Sequence, residues 1–63
     1  MAEFTDLVSV MNEVHKDKGG TYGENTAVEI IELAGQVYRD DKQMVLDASR
    51  QELYRIVDRI YQP

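Results

Sequence analysis

The stretch Asp17-Lys18-Gly19-Gly20-Thr21-Tyr22-Gly23-Glu24-Asn25 holds three of the four glycines of this 63-residue chain and divides it into segments. Glycines and short polar residues at this density indicate a loop, because they favour turns over regular structure. The segments on both sides carry apolar residues at helical spacing, and none alternates with the period of two that a half-buried strand requires. The sequence therefore predicts an all-α fold with a flexible glycine-rich loop over residues 17–25.

The segment before the loop predicts an amphipathic helix over residues 3–17. Its apolar side chains recur at intervals of three and four residues, which places them on one face of a helix. They are Phe4, Leu7, Val8, Met11 and Val14, with His15 on the same face. We expect Gly19 or Gly20 to end this helix, because a left-handed residue commonly caps a helix C-terminus.

The segment after the loop predicts a helix over residues 26–39 that opens with a capping box between Thr26 and Glu29. Apolar residues cover most of its circumference, and a helix of that kind is normally buried between neighbours. We therefore expect it to be the central helix of the fold. Gly35 costs about 1 kcal/mol relative to alanine inside a helix, so we expect a second backbone to pack closely against it.

The last segment admits two interpretations. A continuous helix over residues 42–61 would align the apolar residues of both its halves on one arc, and we favour it. In the other interpretation, residues 42–48 form an irregular connector and the helix begins at Ser49, in a capping box with Glu52. The short connection before this segment predicts a compact three-helix domain with antiparallel neighbours.

The chain is too short for a large core. A domain of about 60 residues buries only about 60% of the surface of its unfolded chain, and domains this small usually need a disulfide, a metal or a partner subunit. The chain has no cysteine, so disulfides are excluded, and its one histidine, His15, is too few ligands for structural zinc. We therefore expect a single domain over residues 1–63 that pairs into a helical homodimer.

No stretch of the sequence predicts membrane insertion or secretion. The longest apolar run, residues 44–46, falls far short of the roughly 20 residues of a membrane-spanning helix. Residues 1–6 are acidic where a signal peptide is basic, and a chain without cysteine gives no sign of an oxidising compartment. We expect a complete cytoplasmic protein, with Met1 at its start and the helix-stopping Pro63 at its end.

The sequence offers no catalytic, cofactor-binding or metal site. The loop lacks the order of glycine and lysine found in phosphate-binding loops, and a calcium loop starting at Asp17 would lack its glycine and its glutamate. Residues 20–23 match the backbone clamp of KH domains, but that fold also needs a sheet. We expect His15 to be packed or at the edge of an interface, and we expect no enzyme, cofactor, metal or small-molecule substrate.

Charge is distributed unevenly along the chain. Residues 1–41 carry nine acidic and three basic side chains, a formal charge of −6, whereas residues 42–63 carry +1. The acidic face consists of Glu29, Glu32, Asp40 and Asp41. We interpret this face as solvated surface, because no Glu-x-x-His motif accompanies it as in di-iron bundles. An alternative is that this face, together with Glu24, mimics nucleic acid towards a DNA-binding protein.

The candidate partner-binding residues are aromatic or cationic: Tyr54, Arg55, Arg59 and Tyr61 in the last segment, and Tyr22 in the loop. Tyrosine and arginine are enriched at binding hot spots. In a simpler interpretation the tyrosine rings cap the core, and the arginines pair with Glu52 and Asp58.

Two classes of function are compatible with this pattern. We expect a small acidic protein that binds a partner protein, as a regulator, an inhibitor or an accessory subunit. The alternative is helix-turn-helix-like DNA binding by the last helix. A net charge of −5 disfavours DNA binding, because contacts to phosphate dominate affinity for DNA.

Overall fold

The computed structural model describes residues 2–62, and all regular structure within that range is helical. Four helices follow one another: α1 (Phe4–Asp17), α2 (Thr26–Asp40), α3 (Lys42–Asp47) and α4 (Arg50–Ile60). The all-α class is confirmed, but the three expected helices are four. Met1 and Pro63, on which the expectation of a complete chain rests, lie outside the described residues.

The continuous helix predicted over residues 42–61 is wrong, because two helices, α3 and α4, occupy this segment. Ala48 is extended, with φ −72° and ψ 139°, and the helix breaks there. The Ser49 hydroxyl accepts a hydrogen bond from the backbone N–H of Glu52 at 3.2 Å, so Ser49 caps α4. The alternative start at Ser49 is thus confirmed, whereas residues 42–47 form a short helix rather than an irregular connector.

The central helix is α1 rather than α2. α1 packs against α2, α3 and α4. The side chains that it buries almost completely are Leu7, Val10, Met11 and Val14. The residues that α2 buries are Thr26, Ile30 and Ala34. The expectation of a central second helix is wrong because its neighbours cover only one side of α2, although its sequence is apolar over most of its circumference.

α1 runs antiparallel to α2 and parallel to α4. Phe4, in the first turn of α1, contacts Tyr38 near the end of α2 edge to face, with ring centroids 5.4 Å apart. Two ion pairs join α1 and the residue that follows it to α4, in the same order along both segments. They are Glu13–Arg50 at 2.7 Å and Lys18–Asp58 at 3.2 Å. The predicted antiparallel packing of sequence neighbours is therefore confirmed for α1 and α2.

The C-terminus of α1 ends as predicted. Gly19 has a φ of +77°, a backbone conformation that suits glycine. The N–H of Gly19 donates to the carbonyl of Lys16 at 3.0 Å, and the N–H of Gly20 donates to the carbonyl of His15 at 2.9 Å. This pair of bonds is the Schellman motif, which satisfies the last carbonyls of a helix.

The start of α2 differs from the prediction. Within the described chain no capping box joins Thr26 to Glu29. The Thr26 hydroxyl instead accepts a hydrogen bond from the N–H of Gly23 at 2.7 Å and lies 3.4 Å from the carbonyl oxygen of Thr21. The hydroxyl is engaged by the loop, so it is not available to Glu29. Thr26 therefore anchors the end of the glycine-rich loop against the first turn of α2.

Candidate interaction surfaces

An aromatic cluster closes the end of the fold where the loop meets α4. His15 contacts both Tyr22 and Tyr61, with ring centroids 5.5 and 6.0 Å from its own and edge-to-face geometry in both contacts. Its Nε2 lies 3.4 Å from the carbonyl oxygen of Thr21. His15 is half-buried, so the prediction of a packed histidine is confirmed. Tyr22 is 54% exposed at the rim of this cluster.

Tyr54 and Tyr61 lie along the contact between α4 and α1. The Tyr54 hydroxyl donates a hydrogen bond to the carboxylate of Asp17, the last residue of α1. That hydrogen bond raises the pKa of Tyr54 above its ordinary value of 10.0, and burial raises the pKa of Tyr61 in the same direction. Both rings are half-buried. They seal the edge of the core, as the simpler interpretation of these residues holds.

Arg55 and Arg59 lie on the opposite, outward side of α4. Both are exposed, and neither forms an ion pair with any residue from 2 to 62. The expected pairing with neighbouring carboxylates is wrong, because those carboxylates have other partners. Asp58 binds Lys18 at 3.2 Å, and Glu52 accepts a hydrogen bond from the Ser49 hydroxyl at 3.2 Å. The structure therefore separates the two arginines from the tyrosines with which the sequence grouped them.

The predicted acidic face is only partly one surface. Glu29, Glu32 and Asp40 are exposed on α2, and none of them forms an ion pair within the described chain. Asp41 has a structural task instead, since its carboxylate accepts a hydrogen bond from the N–H of Met44 at 3.3 Å and caps α3. The remaining three carboxylates are solvated, as predicted.

An apolar surface on α2 was missed by the sequence reasoning. Val28 and Ile31 are 53% and 51% exposed, and they project away from the side that packs on α1. A Cβ atom built on Gly35, one turn beyond Ile31, would meet nothing within 4 Å apart from the neighbouring residues and backbone of its own helix. The expected packing of another backbone on Gly35 is thus not found within residues 2–62. We call Val28, Ile31 and Gly35 the α2 face.

A signal for the α2 face was present in the sequence. α2 is apolar over most of its circumference, and a chain of 63 residues has few other helices with which to surround it. The two facts together predict uncovered apolar surface on this helix as well as they predict a central position. Only the packing distinguishes the two outcomes.

Neither a cluster of metal ligands in the described part of the chain nor a match to a known protein points to a function. No three potential metal ligands come together among residues 2–62. None of the described helices has both the length and the apolar character that crossing a bilayer demands. No known family model, curated protein or solved structure matches the chain. The surfaces of α2 and α4 are therefore the basis for a functional inference.

Proposed function

We propose that this chain is a non-enzymatic protein-interaction module, a small acidic cytoplasmic homodimer that regulates, inhibits or accompanies a partner protein by binding it. The outward side of α4 is the partner-binding surface. One observation carries this proposal: Arg55 and Arg59, one turn apart and exposed, have no carboxylate partner among residues 2–62. In a chain with 12 acidic residues, two adjacent unmatched arginines are free to bind carboxylates of another protein.

The chemistry of the guanidinium group suits such a partner. Arginine binds carboxylates through two parallel hydrogen bonds, and it is one of the residues most often found at binding hot spots. Ile60 lies on the side of α4 nearer the buried Val57, and it is 38% exposed, so it adds apolar contact area at the edge of this surface. A partner surface with carboxylates flanking an apolar patch is complementary to this side of α4.

The experiment compares two variants with equal changes in net charge. Arg55→Glu/Arg59→Glu reverses the charges on α4, and Lys16→Glu/Lys42→Glu makes the same change elsewhere. Partners captured from an extract of the native host are identified by mass spectrometry, purified and titrated. We expect a purified partner to bind the wild-type chain and the control, and to bind the α4 variant about tenfold or more weakly. A partner that binds all three equally would contradict the assignment to α4.

DNA binding by the same arginines is the second candidate. One observation favours it: a break at Ala48 and Ser49 separates α3 from α4, so both arginines lie on the second of two helices joined by a tight turn. The net charge of −5 opposes it, because neutralised phosphates supply most of the affinity. A gel-shift titration at low salt tests this candidate, and an unretarded DNA fragment at high protein excess would rule it out.

Self-association is the other part of the proposal. Val28 and Ile31 expose about half of their surface on one side of α2, where no part of the described chain covers them. Burying apolar surface contributes about 25 cal/mol per Å², and small domains often gain stability from a second subunit. Burial of this apolar surface therefore favours a homodimer, and this driving force does not depend on the arginines on α4.

A further inference from the structure

The α2 face combines two protruding side chains with one open position. Val28 and Ile31 are spaced by three residues and Ile31 and Gly35 by four, so they form one stripe along the helix. The stripe is on the side away from Ile30 and Ala34, which α2 buries. Helices interlock when a side chain of one fits into a space on the surface of the other. The protruding apolar side chains and the open space at the glycine provide both.

No contact within the described chain explains why residue 35 is a glycine. A glycine inside a helix costs about 1 kcal/mol relative to alanine. Apart from the two neighbouring residues and the adjacent turns of the helix backbone, no described atom lies within 4 Å of the position that a Cβ would occupy, so no close approach by another element requires its absence. The open space is instead suited to a side chain from outside, and the side chain must be apolar because Ile31 lies beside it.

We propose that the α2 face of one chain packs against the α2 face of a second copy, with the two helices antiparallel about a two-fold axis beside Ile31. Val28 of each chain then fills the space above Gly35 of the partner subunit. The inference rests on the homodimer in the proposed function and assigns its interface. Partner binding by α4 does not depend on it.

Charges at the two ends of α2 favour the antiparallel over the parallel orientation of a second copy. In a two-fold interface, if residue 28 faces residue 35, then residue 24 faces residue 39. Glu24 precedes α2, Arg39 is in its last turn, and both are exposed without an ion pair among residues 2–62. The antiparallel pair brings these opposite charges together at both ends. A parallel pair would oppose Glu24 with Glu24 and Arg39 with Arg39, which repel.

The size of the α2 face predicts a reversible dimer. A standard interface buries about 800 Å² per partner, roughly a fifth of the 4495 Å² that the described chain exposes. Two helical turns cover less than that area. We therefore expect an equilibrium between monomer and dimer that is measurable at micromolar concentrations, rather than an obligate dimer.

Disulfide trapping tests the geometry directly, because the chain has no cysteine of its own. Val28→Cys and Gly35→Cys are prepared separately, oxidised mildly alone and as a mixture, and analysed by mass spectrometry. Positions 28 and 35 are about 10 Å apart along a helix, beyond the reach of a disulfide. In the proposed dimer the mixture therefore forms the mixed disulfide, and each variant alone forms little. Cross-linking of each variant alone, or none in the mixture, would overturn this geometry.

Sedimentation equilibrium tests the interface without a cross-link. Ile31→Glu should abolish dimerisation because it buries a charge, whereas Thr5→Glu on the exposed part of α1 adds the same charge and should not. Glu24→Arg and Arg39→Glu should each weaken the dimer several-fold, and the double variant should restore it. Circular dichroism shows that each variant folds, which is expected because all four positions are exposed.

The two proposals fail separately. A wild-type chain that stays monomeric at high micromolar concentration would contradict the proposed dimer. The purified partner would still bind the α4 variant more weakly than the control if the α4 proposal holds. Conversely, Arg55→Glu/Arg59→Glu should leave the dimerisation constant unchanged. Weaker dimerisation in that variant, together with unchanged dimerisation in Ile31→Glu, would show that α4 and not α2 is the interface.

Discussion

Gly20 lies against the imidazole ring of His15, so closely that a Cβ atom at position 20 would be 2.5 Å from Nε2. The ring cannot move aside freely, because it packs against both Tyr22 and Tyr61. The loop can therefore fold back over the end of α1 only because Gly20 has no side chain. The contact is a steric requirement that the sequence pattern alone does not reveal.

Gly20→Ala should therefore destabilise the fold by about 1–2 kcal/mol, because overpacking forces a side chain out of its place. Urea unfolding followed by circular dichroism measures the change. The same substitution in a His15→Ala background serves as the control, since the steric conflict is then absent. An equal loss of stability in both backgrounds would show that the loop backbone, and not His15, rejects the alanine.

Gly35→Ala should have the opposite sign. A Cβ at position 35 meets no atom of another element in the described chain, and alanine favours the helix over glycine by about 1 kcal/mol. Unfolding at a dilute concentration, where the monomer prevails, should show an increase in stability of about that size. A decrease under these conditions would mean that another part of the chain covers Gly35.

Ser49→Ala should cost about 1 kcal/mol, because it removes the side-chain acceptor for the N–H of Glu52 at the start of α4. Ser49→Asp keeps an acceptor at the same place and should retain most of the stability. The two variants are compared by thermal and urea unfolding. If Ser49→Ala proved neutral, the break between α3 and α4 would have a cause other than this cap.

The bond between Tyr54 and Asp17 predicts a pH dependence. Because it raises the pKa of Tyr54 in the folded state, its contribution to stability is fully present below the ordinary value of 10.0. The contribution is lost as the pH rises through the folded pKa. Asp17→Asn should lower the pKa of Tyr54 towards its ordinary value. The tyrosinate absorbance in an alkaline titration measures the shift, and Tyr54→Phe assigns the signal.

An alkaline titration of Asp17→Asn that coincides with that of the wild-type chain would contradict this assignment. Tyr61 provides an internal reference in both proteins, because burial and not Asp17 is the main cause of its raised pKa. Its transition should remain in place when Asp17 is replaced.

Local sequence patterns predicted the bounds of the helices well where local backbone conformation determines those bounds. The end of α1 at Gly19 follows from the left-handed conformation that a glycine adopts easily, and apolar spacing gave the extent of α1 and α2. The break at Ala48 did not follow, because the apolar spacing continues through it. The hydroxyl of Ser49 offered an alternative start, and the sequence could not weigh the two.

The candidate site was harder to predict because it depends on contacts between distant residues. That Tyr54 turns to Asp17 while Arg55 turns to solvent follows from how α4 lies on α1, a relationship between residues 37 positions apart. Periodicity identified α2 as broadly apolar but does not state how much of it the other helices can cover. The α2 face is the remainder that these helices leave uncovered.

The parallel contact of α1 with α4 also determines when this protein can fold during its own synthesis. The buried face of α1 meets its partner residues Leu53 and Val57 only after α4 has been made. A growing chain that ends before α4 therefore has an incomplete core, and short helices are marginal alone. A chain interrupted before α4 should remain open to proteolysis.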